Sequence, residues 1–365
     1  MMKRNSDVAV IGAGIVGLAA AHELSVRGLS VTVFETGVPG FGQSAGQSRI
    51  FRHAHDDPRM VDLAVRARVR WLQWEDEFGT ELLSRDGGLA LGPSAIRRLE
   101  HLSAHPEVDA RAVDSAELAR LAPVLADYRG DAVFDATAGS IRTRAAIEAM
   151  SARYADYIVG EQVIAVRDLG GCVQIRCPTG VYEHGALVVA AGRGTAALAS
   201  GLGLDLPIEL GAHVRVSFAA RTPQETMPTL QDGSDHFGFS GIYAAAYPDR
   251  TGYGLGLSDS VPAQPDGTIR DAATLGELAD RAVQYVSVAL PGLDPTPRDI
   301  VHCWVTTLPW GDDGVAIFST GSTYVVAGHN LFKHAPVLGE ALAQSVVAGS
   351  VVEGFSADDR LGASG

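Results

Sequence analysis

Cysteine is scarce in this chain: three residues, Cys172, Cys177 and Cys303, in 365. Three unclustered thiols build neither a disulfide framework nor a zinc site, and they suit a reducing compartment. Long apolar runs are missing too, and no stretch approaches the ~20 residues that a membrane-spanning helix needs. The opening, MMKRNSDVAVIGAG, places two basic residues before an apolar run. Glycines break that run, and Glu23 and Arg27 follow it without a small-residue cleavage site. Positive charge is in deficit, with 29 Lys+Arg against 43 Asp+Glu and a net charge of -14. Nucleic acids and anionic membranes bind basic patches, so neither is expected as a partner. No metal site, internal repeat or low-complexity tract is visible. What remains is an ordinary globular composition, 46% apolar and 20% charged, long enough for two domains or one large discontinuous one. The expectation is a soluble cytoplasmic protein.

Glycine is abundant by contrast, and one cluster has a purpose. Val8 to Ile11 is a continuous apolar run, as a buried parallel strand requires. Gly12-Ala13-Gly14-Ile15-Val16-Gly17 follows, then a helical segment from Leu18, then a second strand from Ser30 to Phe34 that ends on Glu35. In this arrangement Gly12 permits a tight turn, Gly14 lets backbone approach a pyrophosphate, and Gly17 lets the helix lie close to the strand. The helix N-terminus offers N–H groups to phosphate, and Glu35 can accept from a ribose. A glycine-rich turn in an unrelated fold is the competing explanation, but it accounts for neither the flanking elements nor the spacing to Glu35.

The nucleotide-binding pattern then returns twice. Ala186 to Ala191 is another buried strand, ending at Gly192, after alternating segments at Gln162–Arg167 and Cys172–Cys177. Tyr324 to Ala327 ends at Gly328, with a helix starting near Ala335. An interleaved domain of this kind fits FAD better than NAD. The expected fold is mixed α/β, a glutathione-reductase-type FAD-binding Rossmann domain with an inserted antiparallel-sheet substrate domain. The expected boundaries are 1–85, 140–205 and 303–355 for the FAD domain and 86–139 and 206–302 for the substrate domain, with a frayed tail at 356–365. Strands are expected at Gly211–Ala219 and Gly241–Leu257. Helices are expected at Met60–Trp74, whose Arg66, Arg68 and Arg70 read as a solvated face, and at Ala272–Val288. Cys172 and Cys177 read as packing residues.

Four segments give the chain a family resemblance: VAVIGAGIVGLAAAHEL, QSRIFRHA, IVHCWVTTLPWGDDGVAIF and VVAGHNLFKHAPVLGEAL. It resembles the flavin amine oxidases related to D-amino-acid oxidase, most closely the monomeric sarcosine oxidase group with its N-methyltryptophan and pipecolate oxidases. The resemblance implies an FAD-dependent oxidase acting on the C–N bond of an amino acid or secondary amine, with molecular oxygen as acceptor and an imine and hydrogen peroxide as products. It implies that Cys303 carries FAD covalently through the flavin 8α-methyl group. It places Arg49 beside the flavin ring and Arg52 on the substrate carboxylate, which a guanidinium fork matches. Lys333 shares that carboxylate, and Ser44, Ser48, Val163, Gly192 and Gly328 join the cofactor contacts. The protein would be a monomer or small homo-oligomer. By itself, Cys303 also reads as a small buried hydrophobe.

The substrate segment departs from the family. Gly256 stands where the group carries a lysine that promotes reaction with oxygen, and Ser260, Ala245 and Val305 stand where it carries a histidine and two tyrosines. These gaps imply a roomier pocket, which Tyr243, Tyr247, Trp304, His53 or His55 could refill. They also keep open a dehydrogenase or biosynthetic desaturase that uses oxygen poorly, and a redox-inert flavoprotein acting as a scaffold.

Overall fold

The computed structural model describes residues 6–363. Lys3 and Arg4 of the opening and the last two residues of the tail lie outside that range. The chain forms two compact units, Met1–Ala45 with Arg144–Leu210 and Val305–Gly365, and Gly46–Thr143 with Gly211–Trp304. Residues 46–85 therefore belong with the second unit.

The first unit is built on a six-stranded sheet. Its order is Val315–Thr320, Thr323–Gly328, Ala186–Val189, Val8–Ile11, Val31–Phe34 and Ile158–Val159. Pairing is parallel except at the Val315–Thr320 edge. Every residue of Val8–Ile11 and Val31–Phe34 is buried, because both faces of the sheet are covered. The helices Ile15–Val26 and Ala335–Ala348 pack together. A Cβ at Gly339 would lie 2.6 Å from the Ala19 backbone carbon, so this glycine sets how near they come. A small antiparallel sheet of Ala165–Asp168, Val173–Cys177 and Gly180–His184 completes the unit, with Cys177 in its core and Cys172 partly buried. The first of these strands starts later than its alternation suggests, leaving Val163 in the preceding loop, packed on that core. Residues 356–363 are packed instead of frayed: Leu361 bridges Val315, and its carbonyl accepts from Trp310 Nε1 at 3.1 Å.

The second unit carries a nine-stranded sheet. In order it runs Val261–Pro262, Glu209–Ala219, Gly252–Leu257, Ile242–Ala246, Thr229–Asp232, Gly88–Leu91, Ala132–Asp135 and Ala110–Ala112, with Asp299–Thr307 also pairing with Glu209–Ala219. The stretch expected as one strand over Gly241–Leu257 is a hairpin. Pro248 lacks an N–H for the ladder, and the chain turns at Arg250, whose φ is 56° and whose guanidinium pairs with Asp86 at 3.0 Å. The helix Pro58–Phe78 outruns its apolar repeat at both ends. Asp57 caps it, accepting from Arg59 N at 2.9 Å, and Gly79 ends it in the left-handed region.

Alternation gives the sheet two unlike faces. Val214, Val216, Phe218, Ile242, Ala244, Ala246, Tyr253, Leu255 and Leu257 point one way and are all buried. There they meet Leu278, Ala282, Tyr285 and Val286 of the helix Ala272–Ala289. Each large side chain buried there contributes about 1.5–3 kcal/mol. The opposite face carries His213, Arg215, Ser217, Tyr243, Ala245, Tyr247 and the glycines 252, 254 and 256. No helix among the described residues is long and apolar enough to cross a membrane.

Candidate cofactor cradle and active-site face

In the first unit, the loops at the carboxyl ends of the parallel strands form the cradle. Gly12 has φ +101°, and its N–H donates to Phe34 O at 2.8 Å. A Cβ there would run into Ala190 O, and a Cβ at Gly17 into Gly12 O, so neither position admits a side chain. Gly14 stands at the helix N-cap without a side chain to close it, and Ser44 Oγ accepts from Ile15 N at 3.0 Å. The Glu35 carboxylate accepts from Ala13 N at 2.8 Å and Gly37 N at 2.9 Å, which fixes it at the tip of its strand. Gly192 follows the next strand against Gln43, and Gly328 ends another, its carbonyl accepting from Thr306 Oγ1 at 2.8 Å. The open helix end, the side-chain-free loop and the anchored carboxylate fit the pyrophosphate and ribose of a dinucleotide such as FAD. Lys333 is 4% exposed, just ahead of the helix Ala335–Ala348, with Nζ 3.4 Å from Asp313 Oδ1.

In the second unit, the ribbon strand Ser48–Phe51 touches the glycine-bearing face, where Ser48 Oγ donates to Ala245 O at 3.3 Å. Its backbone places Arg49 among Arg215, Tyr243 and Cys303. Arg49 Nη1 and Arg215 Nη1 both donate to Ser48 O, at 3.0 and 3.2 Å. Arg49 keeps part of its surface exposed, yet enough protein surrounds its guanidinium that burial, aided by the Arg215 charge, lowers its pKa to about 10. Cys303 and Tyr243, both acids, work in the other direction. It stays charged at neutral pH. The Tyr243 hydroxyl lies 3.4 Å from His213 Nδ1, and burial holds its pKa above the ordinary tyrosine value. Arg215, Gly256 and Tyr243 are direct cross-strand partners. A Cβ on Gly256 would fall 2.5 Å from the Tyr243 ring, so that ring covers this position.

Cys303 is partly buried and shares this polar face, whereas its neighbour Trp304 packs on the hydrophobic core with His302 edge-on at 5.2 Å. Arg52 follows the ribbon strand and turns its Nη1 to Ala54 O. His53 is occupied elsewhere: its Nδ1 is 2.7 Å from Asp135 Oδ2, beneath Phe51. Burial alone would raise the Asp135 pKa, but the bonds from His53 and Thr137 hold it below the ordinary aspartate value. Of the five residues considered as pocket fillers, Tyr243 and Tyr247 lie on the glycine-bearing face, Tyr247 bonded to Ser217. Arg215 was not anticipated. Its signal lies in the strand HVRVSF, where polar and apolar residues alternate and the polar set includes a cation.

The cradle of the first unit is that of a dinucleotide-dependent enzyme. The chain belongs to the family of FAD dependent oxidoreductases (DAO), whose pattern it matches over residues 7–345. It is 25% identical to monomeric sarcosine oxidase of Arthrobacter sp. (strain TE1826), over 97% of this chain and 96% of that one. It is 27% identical to peroxisomal sarcosine oxidase of Mus musculus, over 92% and 90%. Among solved structures, NikD, an unusual amino acid oxidase essential for nikkomycin biosynthesis, superposes with a TM-score of 0.80 at 20% identity, covering 97% of this chain and 95% of that one. L-proline dehydrogenase from P. horikoshii gives 0.79 at 21%, covering 96% and 95%.

Proposed function

We propose that this protein oxidises the C–N bond of an amino acid or secondary amine, giving an imine and, with molecular oxygen, hydrogen peroxide. When bound, FAD supplies the acceptor for the hydride that leaves the carbon beside nitrogen. The chain's own residues do the rest. The Gly12–Gly17 loop and the helix behind it neutralise the pyrophosphate, and Glu35 binds the ribose. Cys303 holds the flavin covalently as a thioether. Arg52 clamps the substrate carboxylate, Lys333 adds a second cation steadied by Asp313, and Arg49 stabilises negative charge on the ring system. The substrate amine needs no side-chain base if it binds neutral.

The observation that carries this reading is the company of Cys303. Its strand turns it toward Arg49 and Tyr243, not into the apolar core. The sarcosine oxidase relatives support the substrate class. We place the protein in the cytoplasm, a reading supported by its scarcity of cysteine, and take it as a monomer or small homo-oligomer. The test is an anaerobic panel of amino acids and N-methyl amino acids added to the purified yellow holoprotein. Bleaching of the flavin by at least one, followed by peroxide release on admitting air, is expected. Bleaching without peroxide would favour a dehydrogenase, and no bleaching at all would remove the amine-oxidase reading.

A further inference from the structure

Arg215 sits mid-strand and is not needed for the assignments above. A guanidinium in that position is costly unless something answers its charge. Its Nη1 donates to Ser48 O at 3.2 Å, its Nε is buried with no acceptor, and it forms no ion pair among the described residues. The carbonyl it uses is neutral and is shared with a second guanidinium, that of Arg49. The surroundings keep Arg215 in place. Its Nε lies across Gly254, where a Cβ would stand 3.3 Å away, and a larger residue there would push the guanidinium off the strand. Beside it is the phenol of Tyr243, which burial keeps protonated and therefore able to donate. A guanidinium with a spare N–H, a like-charged neighbour and a nearby phenol donor make a place for an anion.

We infer that Arg215 receives a second carboxylate of the substrate, so that the enzyme prefers amino acids or secondary amines bearing an acidic side chain. This rests on the oxidase reading above, in which Arg52 already holds the first carboxylate. It goes beyond that reading by naming the substrate class. Tyr243 donates to the same group.

The experiment titrates the holoprotein with unreactive acids and follows the visible spectrum of the bound flavin. Butyrate is compared with succinate, and valerate with glutarate, pairs equal in chain length. A second carboxylate placed in an apolar or anionic pocket weakens binding, so a gain requires a waiting cation. The diacid is expected to bind about tenfold more tightly than its monoacid, as one charge-assisted hydrogen-bonded pair allows. Arg215→Gln is expected to abolish that preference and Arg215→Lys to keep part of it. Equal binding of mono- and diacids by the wild-type protein overturns the inference, and this arm stands whether or not the variants fold. An Arg215→Gln protein that loses affinity for both acids alike also overturns it, because Arg215 would then hold the first carboxylate. If no acid perturbs the flavin and no amino acid bleaches it, the oxidase reading falls as well. If amino acids bleach the flavin but diacids show no advantage, only the present inference falls.

Discussion

Tyr243 and Gly256 make a sharp test of the packing on the glycine-bearing face. The Cβ introduced by Gly256→Ala would lie 2.5 Å from the Tyr243 ring, about 1 Å inside an ordinary contact. The ring is tied to its surroundings, with its hydroxyl 3.4 Å from His213. Overpacking of this size costs about 1–3 kcal/mol, and because the obstacle is an aromatic ring and not a flexible tip, the middle of that range is expected. At about 1–2 °C per kcal/mol for a chain of this length, the melting temperature should fall by roughly 2–4 °C. In a Tyr243→Ala background the obstacle is gone, so Gly256→Ala should cost almost nothing. The double-mutant cycle would then show a favourable coupling of about 2 kcal/mol. Thermal unfolding of the four proteins measures it. If Gly256→Ala is equally damaging with and without the Tyr243 ring, the steric argument is wrong. The same geometry predicts that a lysine introduced at position 256 is accommodated only when Tyr243 is also shortened.

Three further outcomes are expected. Acid precipitation should leave the flavin on the wild-type polypeptide and release it from Cys303→Ser; flavin in the wild-type supernatant would make Cys303 a packing residue. Arg52→Ala should weaken carboxylate binding by about 2–5 kcal/mol, read from the flavin spectrum, with FAD retention changed far less; unchanged affinity would direct attention to another cation. Asp135 is held below the ordinary aspartate pKa when folded, so its contribution to stability is present above the unfolded value near 3.9 and is lost as pH falls through that value toward the folded one. Asp135→Asn should therefore lower the melting temperature at pH 7 and flatten its fall below about pH 4, and an unaltered acid profile would deny the His53–Asp135 pair that role.

How far the sequence could be read depended on whether each feature had a local cause. The Gly12–Gly17 loop was legible because steric contact with Ala190 and with the loop's own carbonyl forces glycine wherever that turn occurs. The buried parallel strands were legible as unbroken apolar runs. The Gly241–Leu257 hairpin was missed although Pro248-Asp249 is a turn signal, because apolar residues continue on both sides of it. The packed tail was missed because what orders it is distant in sequence, the Val315 strand and the Trp310 indole. Arg215 was missed for the same kind of reason. Its neighbours Ser48, Tyr243 and Gly256 come from three other strands, and no single window of sequence contains them.

The two-sided sheet of the second unit separates what the protein must keep from what it can change. Residues 214, 216, 218, 253, 255 and 257 answer to the core, and altering them puts folding at risk. Residues 213, 215, 217, 243, 245 and 247 alternate with them and point to the other face, outside that hydrophobic layer. A library confined to the second set would vary pocket size, charge and hydrogen bonding while leaving the hydrophobic layer intact. New substrates should therefore be sought from this scaffold first by a few substitutions at alternate positions.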